Sequence, residues 1–424
     1  MSDLAWAVVA GLVKSLVAIV ALLTAFAYMT LIERRVIARF QRRVGPNRAG
    51  PLGLFQPVAD ALKMAFKEQL MPAKASSFVF LMAPALSVFV ALSAFAVVPL
   101  GGPTPWGTTA VARAWAPYVA DLNVGVLYIL SISSLAVYGI VLAGWSSGNH
   151  YSLLGALRSA AQMVSYEVSI GLALVGVLMF AGTLSMVGIV QAQVHQGIWF
   201  VLAQPLGFIL YGIAATAEVN RAPFDLPEAE QELVAGYLTE FSGLRWRLFQ
   251  MAEYINMITA SSVMATLFFG GWTLGALDGV LGVPFIWYFI KVAFFLFVFI
   301  WLRATLPRIR YDQLMRFGWQ VLLPLAVVNA LVTAAVVAFD APWWVSGLFG
   351  LLVIAVVGAI YYSRLRAGVR RTGGKPVDAV GVALSGSVRL AHVESTVYLP
   401  DAVVSAEDIG VNGDGRAVVG VGTK

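Results

Sequence analysis

The sequence contains no cysteine and only three histidines, His150, His195 and His392. Without thiolates it cannot hold a cysteine-ligated iron–sulfur cluster or close a disulfide, and no two histidines have haem-ligand spacing. Charge is scarce as well: 12% of residues are Asp, Glu, Lys or Arg, against 60% hydrophobic. A soluble domain cannot cover its surface with so much apolar material. Motifs are also missing, since there is no Walker loop, dinucleotide fingerprint, nucleophile elbow or metal-ligand spacing. Nothing marks the chain as an enzyme on its own, and any electron transfer must use cofactors held by other chains.

What the chain does have is a succession of apolar runs. Nine of them, 4–30, 76–98, 122–143, 159–182, 198–217, 254–274, 284–304, 318–338 and 343–363, approach the ~20 residues needed to cross hydrocarbon. The fold expected is therefore all-α, a polytopic membrane protein of about nine transmembrane helices over 1–363. The first run has no small-residue cleavage site after a short apolar core and reads as an uncleaved anchor. Threading the runs puts 25 of the 28 basic residues on one side, counting Arg303 at the edge of its span. That asymmetry makes this side cytoplasmic and the N-terminus extracytoplasmic. The net charge of +6 is then a topology signal, and no nucleic-acid partner is implied.

Acid is concentrated in one place. Seven of the 22 carboxylates lie in 218–253, between two apolar runs: Glu218, Asp225, Glu228, Glu230, Glu232, Glu240 and Glu253. Asp225 and Glu228 have capping-box spacing, and Pro227 suits a first helical turn, so part of the cluster could simply start a helix. A solvated face would account for Glu228 and Glu232 at i, i+4. Capping does not explain Glu218, Glu240 or Glu253.

The other cytoplasmic segment of interest is 33–76. It begins with a basic helical extension, Glu33 to Arg43, for which positive-inside anchoring explains the arginines but not Glu33. Residues 54–70 read as an amphipathic helix, with Phe55, Val58, Leu62, Phe66 and Leu70 on one face and Gln56, Asp60, Lys63 and Lys67 opposite. It is too polar to span and should lie in the interface, where it can wall a slot for a lipid-like molecule. Within the spans, Glu167 is a costly intramembrane carboxylate facing a polar path or a hydrogen-bond partner. Lys291 is an obvious candidate counter-ion, and Lys14 can snorkel. Loop 99–121 carries no evident chemistry. Beyond the last span, 364–424 reads as an extended or disordered cytoplasmic tail.

ERRVIARFQRRVGPNRAGPLGLFQPVADALKMAFKE, GALRSAAQMVSYEV, EVNRAPFDLPEAEQELVAGYLTEFSG and MAEYINM together resemble one family. It is the membrane subunit at the heel of respiratory complex I: the H subunit of bacterial NADH–quinone oxidoreductase, or subunit 1 of the mitochondrial enzyme. The resemblance covers roughly 4–338 and leaves the ninth span and the tail without a counterpart in the mitochondrial pattern. It implies a bacterial plasma-membrane protein that holds no cofactor, while FMN and the iron–sulfur clusters sit in partner subunits. Quinone would be the substrate, entering from the lipid bilayer by a tunnel that this chain helps to build.

Carried over residue by residue, the resemblance places Glu33, Arg34, Arg35, Arg42, Arg43 and Asp60 at the tunnel entrance and first loop. Arg221, Phe224, Asp225, Glu228, Glu230 and Glu232 would face the quinone head-group. Glu167, Glu218, Glu240 and Glu253 would begin an acidic path toward antiporter-like pumping subunits. Three alternatives stay open: the homologous subunit of an energy-converting hydrogenase or formate-oxidising complex, a free-standing ion transporter using Glu167 and Lys291, and a purely structural anchor.

Overall fold

The computed structural model describes residues 3–73, 75–102, 116–225, 234–273, 284–371, 409–411 and 417–419. Thirteen α-helices are described: α1 (Asp3–Phe40), α2 (Gln56–Phe66), α3 (Ser77–Ala94), α4 (Gly125–Ser146), α5 (His150–Ala181), α6 (Met186–Gln196), α7 (Phe200–Ala203), α8 (Pro205–Glu218), α9 (Gly243–Phe269), α10 (Pro284–Thr305), α11 (Tyr311–Phe317), α12 (Leu323–Ala338) and α13 (Trp343–Arg371). A π-helical turn, Gly318–Leu322, joins α11 to α12 without a break. Helix α13 runs past Val356, where the chain divides into two compact units. In the second unit, β1 (Ile409–Val411) pairs antiparallel with β2 (Ala417–Val419). The membrane part is all-α, as expected.

Among the described residues seven helical segments are long and apolar enough to cross a membrane, fewer than the nine expected. The two that fall short are both helical, and each has a physical reason. Run 198–217 breaks at Gln204, whose backbone (φ −131°, ψ 53°) ends α7 and starts α8. Gln204 is buried, donates to Thr333 Oγ1 at 2.7 Å and accepts from Asn329 at 2.8 Å, so α12 satisfies the polar groups at the break. Helix α9 fails because it is polar. It lies inside the protein, with Ile255, Met257, Val263, Ala265, Leu267 and Phe268 all buried. A helix surrounded by protein need not be greasy all round. Thr259, Ser261, Ser262 and Thr266 each return their hydroxyl to the carbonyl four residues back.

Around α9 pack α3, α10 and α1, while α5 packs against α4, α8 and α12. Helix α5 starts on Asn149, which accepts from Tyr151 N–H at 3.0 Å, and stops on Gly182 in the left-handed region. Its 32 residues reach roughly 48 Å, longer than a bilayer's hydrocarbon, so its first turns project beyond the membrane. There Gly155 lets the chain at Gly236 come close; a Cβ at Gly155 would sit 2.6 Å from Gly236 Cα. That approach seats 234–242 on α5 and brings Glu240 to Asn149 at 2.8 Å.

Helix α2 is shorter than expected, 56–66 rather than 54–70, and its orientation is the informative point. Phe55, Val58, Leu62 and Phe66 are exposed, whereas Asp60 is only 7% exposed. The apolar face looks outward and the carboxylate inward, which suits a helix lying at a lipid surface with its polar edge held by protein.

Candidate functional site

Glu33 lies near the end of α1 and is 4% exposed. A carboxylate so placed needs cations, because burying it unpaired is prohibitively costly. Two arrive from elsewhere in the chain. Arg221, just after α8, places Nη1 3.3 Å from Glu33 Oε1, and Arg303, in the last turn of α10, donates to the same oxygen. Arg221 also stacks over the Tyr254 ring of α9, 4.1 Å from its centroid. Burial by itself would push the Arg221 guanidinium down, but Glu33 and, further off, Glu253 outweigh that and hold it above its ordinary value.

Beside this cluster is a cavity of about 520 Å³, in the size range of small-molecule sites. Glu33, Arg34, Arg43, Arg247, Arg303 and Tyr254 supply its charged and polar lining, with Trp246, Ile37 and Leu238 among its apolar walls. Burial is the largest influence on Arg247, and it lowers that guanidinium more than Tyr254 and Asp60 raise it. The Asp60 carboxylate bonds Arg34 Nη1 at 2.8 Å and Gln56 at 3.1 Å, tying α2 to α1 beside the cavity.

A series of carboxylates continues inward. Arg221 feels the charge of Glu253, and Glu253 shares a cavity of about 30 Å³ with Glu218, Asn220, Asn256 and Tyr237. Glu218 also lines a second cavity, about 50 Å³, with Ser133, Tyr211 and Asn256 among others. Each is large enough for water, which needs roughly 10–15 Å³ and polar partners. Glu218 in turn feels the charge of Glu167, which accepts a hydrogen bond from Ser134 of α4.

Several expected residues therefore converge, and others do not. Glu33, Arg34 and Arg43 line the large cavity; Asp60 supports its rim. Arg35 donates instead to Pro46 O, and Arg42 is exposed with a left-handed backbone. Phe224 and Asp225 belong to a buried turn rather than an open loop. Gln162 donates to Ala217 O and Phe224 O, both at 2.8 Å, and Asp225 pairs with Arg308 at 2.9 Å. Glu228, Glu230 and Glu232 lie outside the described residues.

Lys291 needs a correction. It is not beside Glu167, because its ammonium donates to the carbonyls of Phe269, Gly271 and Thr273 at the C-terminal end of α9. Phe269 packs on Phe208 near the start of α8, whereas Glu218 and its neighbour Glu167 lie at the other end, roughly 15 Å away.

Residue types alone do not reveal Arg303, Arg247, Trp246, Tyr254 or Ser134 as part of the site. Arg303 is hidden by the positive-inside rule, which explains any arginine at that end of a span. Tyr254 has a signal, since MAEYINM puts it next to Glu253.

Glu33→Gln leaves Arg221 buried without its counter-charge, which should destabilise the chain by about 3–5 kcal/mol. In thermal disassembly of the purified complex, the variant should fail earlier than the parent, and Glu33→Gln with Arg221→Met should recover part of the loss. Equal stability of parent and Glu33→Gln would show that the cluster does not hold these elements together.

Comparison with known proteins gives a consistent family. Residues 13–334 match the profile described as NADH dehydrogenase. The chain is 52% identical over 355 residues to the H subunit of NADH-quinone oxidoreductase from Deinococcus deserti, covering 82% of this chain and 89% of that protein. It is 52% identical over 362 residues to "NADH-quinone oxidoreductase subunit 8" of Thermus thermophilus, covering 85% and 96%. To the H subunit of Thermomicrobium roseum it is 53% identical over 324 residues, covering 74% and 92%.

Proposed function

The chain belongs to the NADH dehydrogenase family, as a membrane subunit of NADH–quinone oxidoreductase, and from that premise we propose that its 520 Å³ cavity receives the quinone head-group. Other subunits of the oxidoreductase complex are its partners. In this reading the hydrophilic partners carry FMN and the terminal iron–sulfur cluster, and antiporter-like subunits receive the protonic signal. The chain itself supplies no redox group; its contribution is a place and a charge environment.

The observation that carries the reading is the composition of the cavity wall. Trp246, Ile37 and Leu238 offer apolar and aromatic surface to a ring, while Arg34, Arg43, Arg247 and Arg303 can stabilise negative charge developing on its oxygens. Helix α2 presents Phe55, Leu62 and Phe66 outward, as a wall facing lipid would, and Asp60 secures that wall to Arg34. A quinone can then reach the polar end of the tunnel sideways from the bilayer.

Reduction of a quinone takes two electrons and two protons. Negative charge arriving in the cavity pulls on the arginines that neutralise Glu33, and one of them, Arg221, also feels the charge of Glu253. Glu253 shares a cavity with Glu218, and Glu218 feels the charge of Glu167, so a change of charge at Arg221 has a route inward along these carboxylates. Water in the two small cavities gives protons a medium along this line. Lys291 donates to the carbonyls that end α9, away from Glu167.

Filling the cavity tests the assignment. Ala235 lines it and carries almost no side chain, so Ala235→Trp should slow quinone reduction about tenfold or more, as overpacking by 1–3 kcal/mol implies. Electron transfer from NADH to a hydrophilic artificial acceptor should be unchanged. Retained quinone reduction would place the head-group elsewhere, and loss of both activities would mark an assembly defect, which a smaller Ala235→Leu variant separates from blockage.

Orientation follows from the charge asymmetry, with the cavity on the cytoplasmic side of the plasma membrane. The chain lacks cysteine, so single cysteines report cleanly on it. Exposed His195 as His195→Cys should react with an impermeant thiol reagent on intact cells, and exposed Lys67 as Lys67→Cys only after permeabilisation. The reverse pattern would invert the topology.

A further inference from the structure

A second large cavity, about 340 Å³, lies apart from the quinone site and is almost wholly apolar. Val17, Ala21 and Ala25 of α1 form one side of it, and Phe95, Ile258 and Phe289 contribute to the others. Val17 is 60% exposed and Phe289 46% exposed, so the cavity is a groove open along its side. Among the described residues one cation lines it, Lys14. Its ammonium donates to Tyr118 O at 2.8 Å and lies 5.6 Å from the Tyr118 ring centroid. An ammonium has three donors, so this single hydrogen bond leaves capacity for another acceptor.

Position along α1 says what that acceptor is. From Glu33 to Lys14 the helix rises roughly 28 Å, close to the hydrocarbon thickness of about 30 Å. With Glu33 at one membrane surface, Lys14 reaches the headgroup level of the other. From Lys14 to Ala25 the groove runs inward by roughly 16 Å, which is the depth of one leaflet. A cation at headgroup height above an apolar slot of leaflet depth complements a molecule with an anionic head and a hydrocarbon chain.

We propose that this groove binds an anionic phospholipid of the leaflet opposite the quinone cavity, its phosphate on Lys14 and one acyl chain along Val17, Ala21 and Ala25. A phosphate suits this lone ammonium better than a quinone, whose head carries no charge until it is reduced. The lipid sits where α1, α9 and α10 meet, and so supports the helices whose other ends build the Glu33 cluster.

The test uses the assembled complex in native membranes, with phosphatidylglycerol or phosphatidylcholine bearing a photoreactive group on the acyl chain. Crosslinks are mapped by mass spectrometry on the peptide spanning 13–25. The anionic probe should label this peptide about fivefold more than the zwitterionic one, the preference that about 1 kcal/mol per membrane-proximal cation gives. Lys14→Gln should abolish the preference, Lys14→Arg should keep it, and Ala21→Trp should reduce labelling by both probes. Equal labelling by the two probes in the parent overturns the proposal, as does a preference that survives Lys14→Gln. No labelling of 13–25 in the parent also overturns it, since a helix of another subunit would then fill the groove.

Discussion

A buried carboxylate at the end of α1 constrains this structure more than any other group. Glu33 can be ionised inside the protein only if the turn after α8 brings Arg221 and the last turn of α10 brings Arg303. Tyr254 of α9 then covers the Arg221 guanidinium. Four parts of the chain, far apart in sequence, are thereby fastened at one level, and the space they leave beside them is the 520 Å³ cavity. Replacing such a cluster with hydrophobic residues would not in itself cost stability, because desolvation offsets much of the attraction. Its retention in so apolar a chain points to a role for the charge.

That role, in the proposed function, is to stand between a cavity that changes charge and a row of acids that responds. Arg221 pairs with Glu33 and also feels the charge of Glu253, so in this reading it links the cavity to the acids. Glu253 and Glu218 line one small cavity, Glu218 also lines a second, and Glu218 feels the charge of Glu167.

Much of this is legible in the sequence, and the misses have physical causes. Apolar runs mark the helices, and their flanking charges supply a threading. Length and hydropathy cannot reveal that 198–217 is broken at Gln204, because a buried hydrogen-bond network with Asn329 and Thr333 sustains the break. Nor can they show that α9 is enclosed by protein, which is what permits its serines and threonines. The amphipathic pattern of α2 separates its apolar residues from Asp60, but cannot say which partner Asp60 meets. Asp60 itself points inward, where it ties α2 to Arg34, while Lys63 and Lys67 stay exposed. Glu33 stands out as an acid among arginines. Its real partners, 188 and 270 positions away, are beyond any local pattern. Pairing Glu167 with Lys291 fails for a related reason, since two intramembrane charges need not lie at the same depth.

The central claim is that the cavity beside Glu33 holds the quinone head-group, and photoaffinity labelling tests it most directly. A quinone with a photoreactive group on its ring, added to the assembled complex and mapped by mass spectrometry, should mark residues 30–37 of α1 and 246–254 of α9. An excess of natural quinone should protect them. Protected labelling confined to the groove at 13–25, or to other subunits with none at these two stretches, would contradict the account.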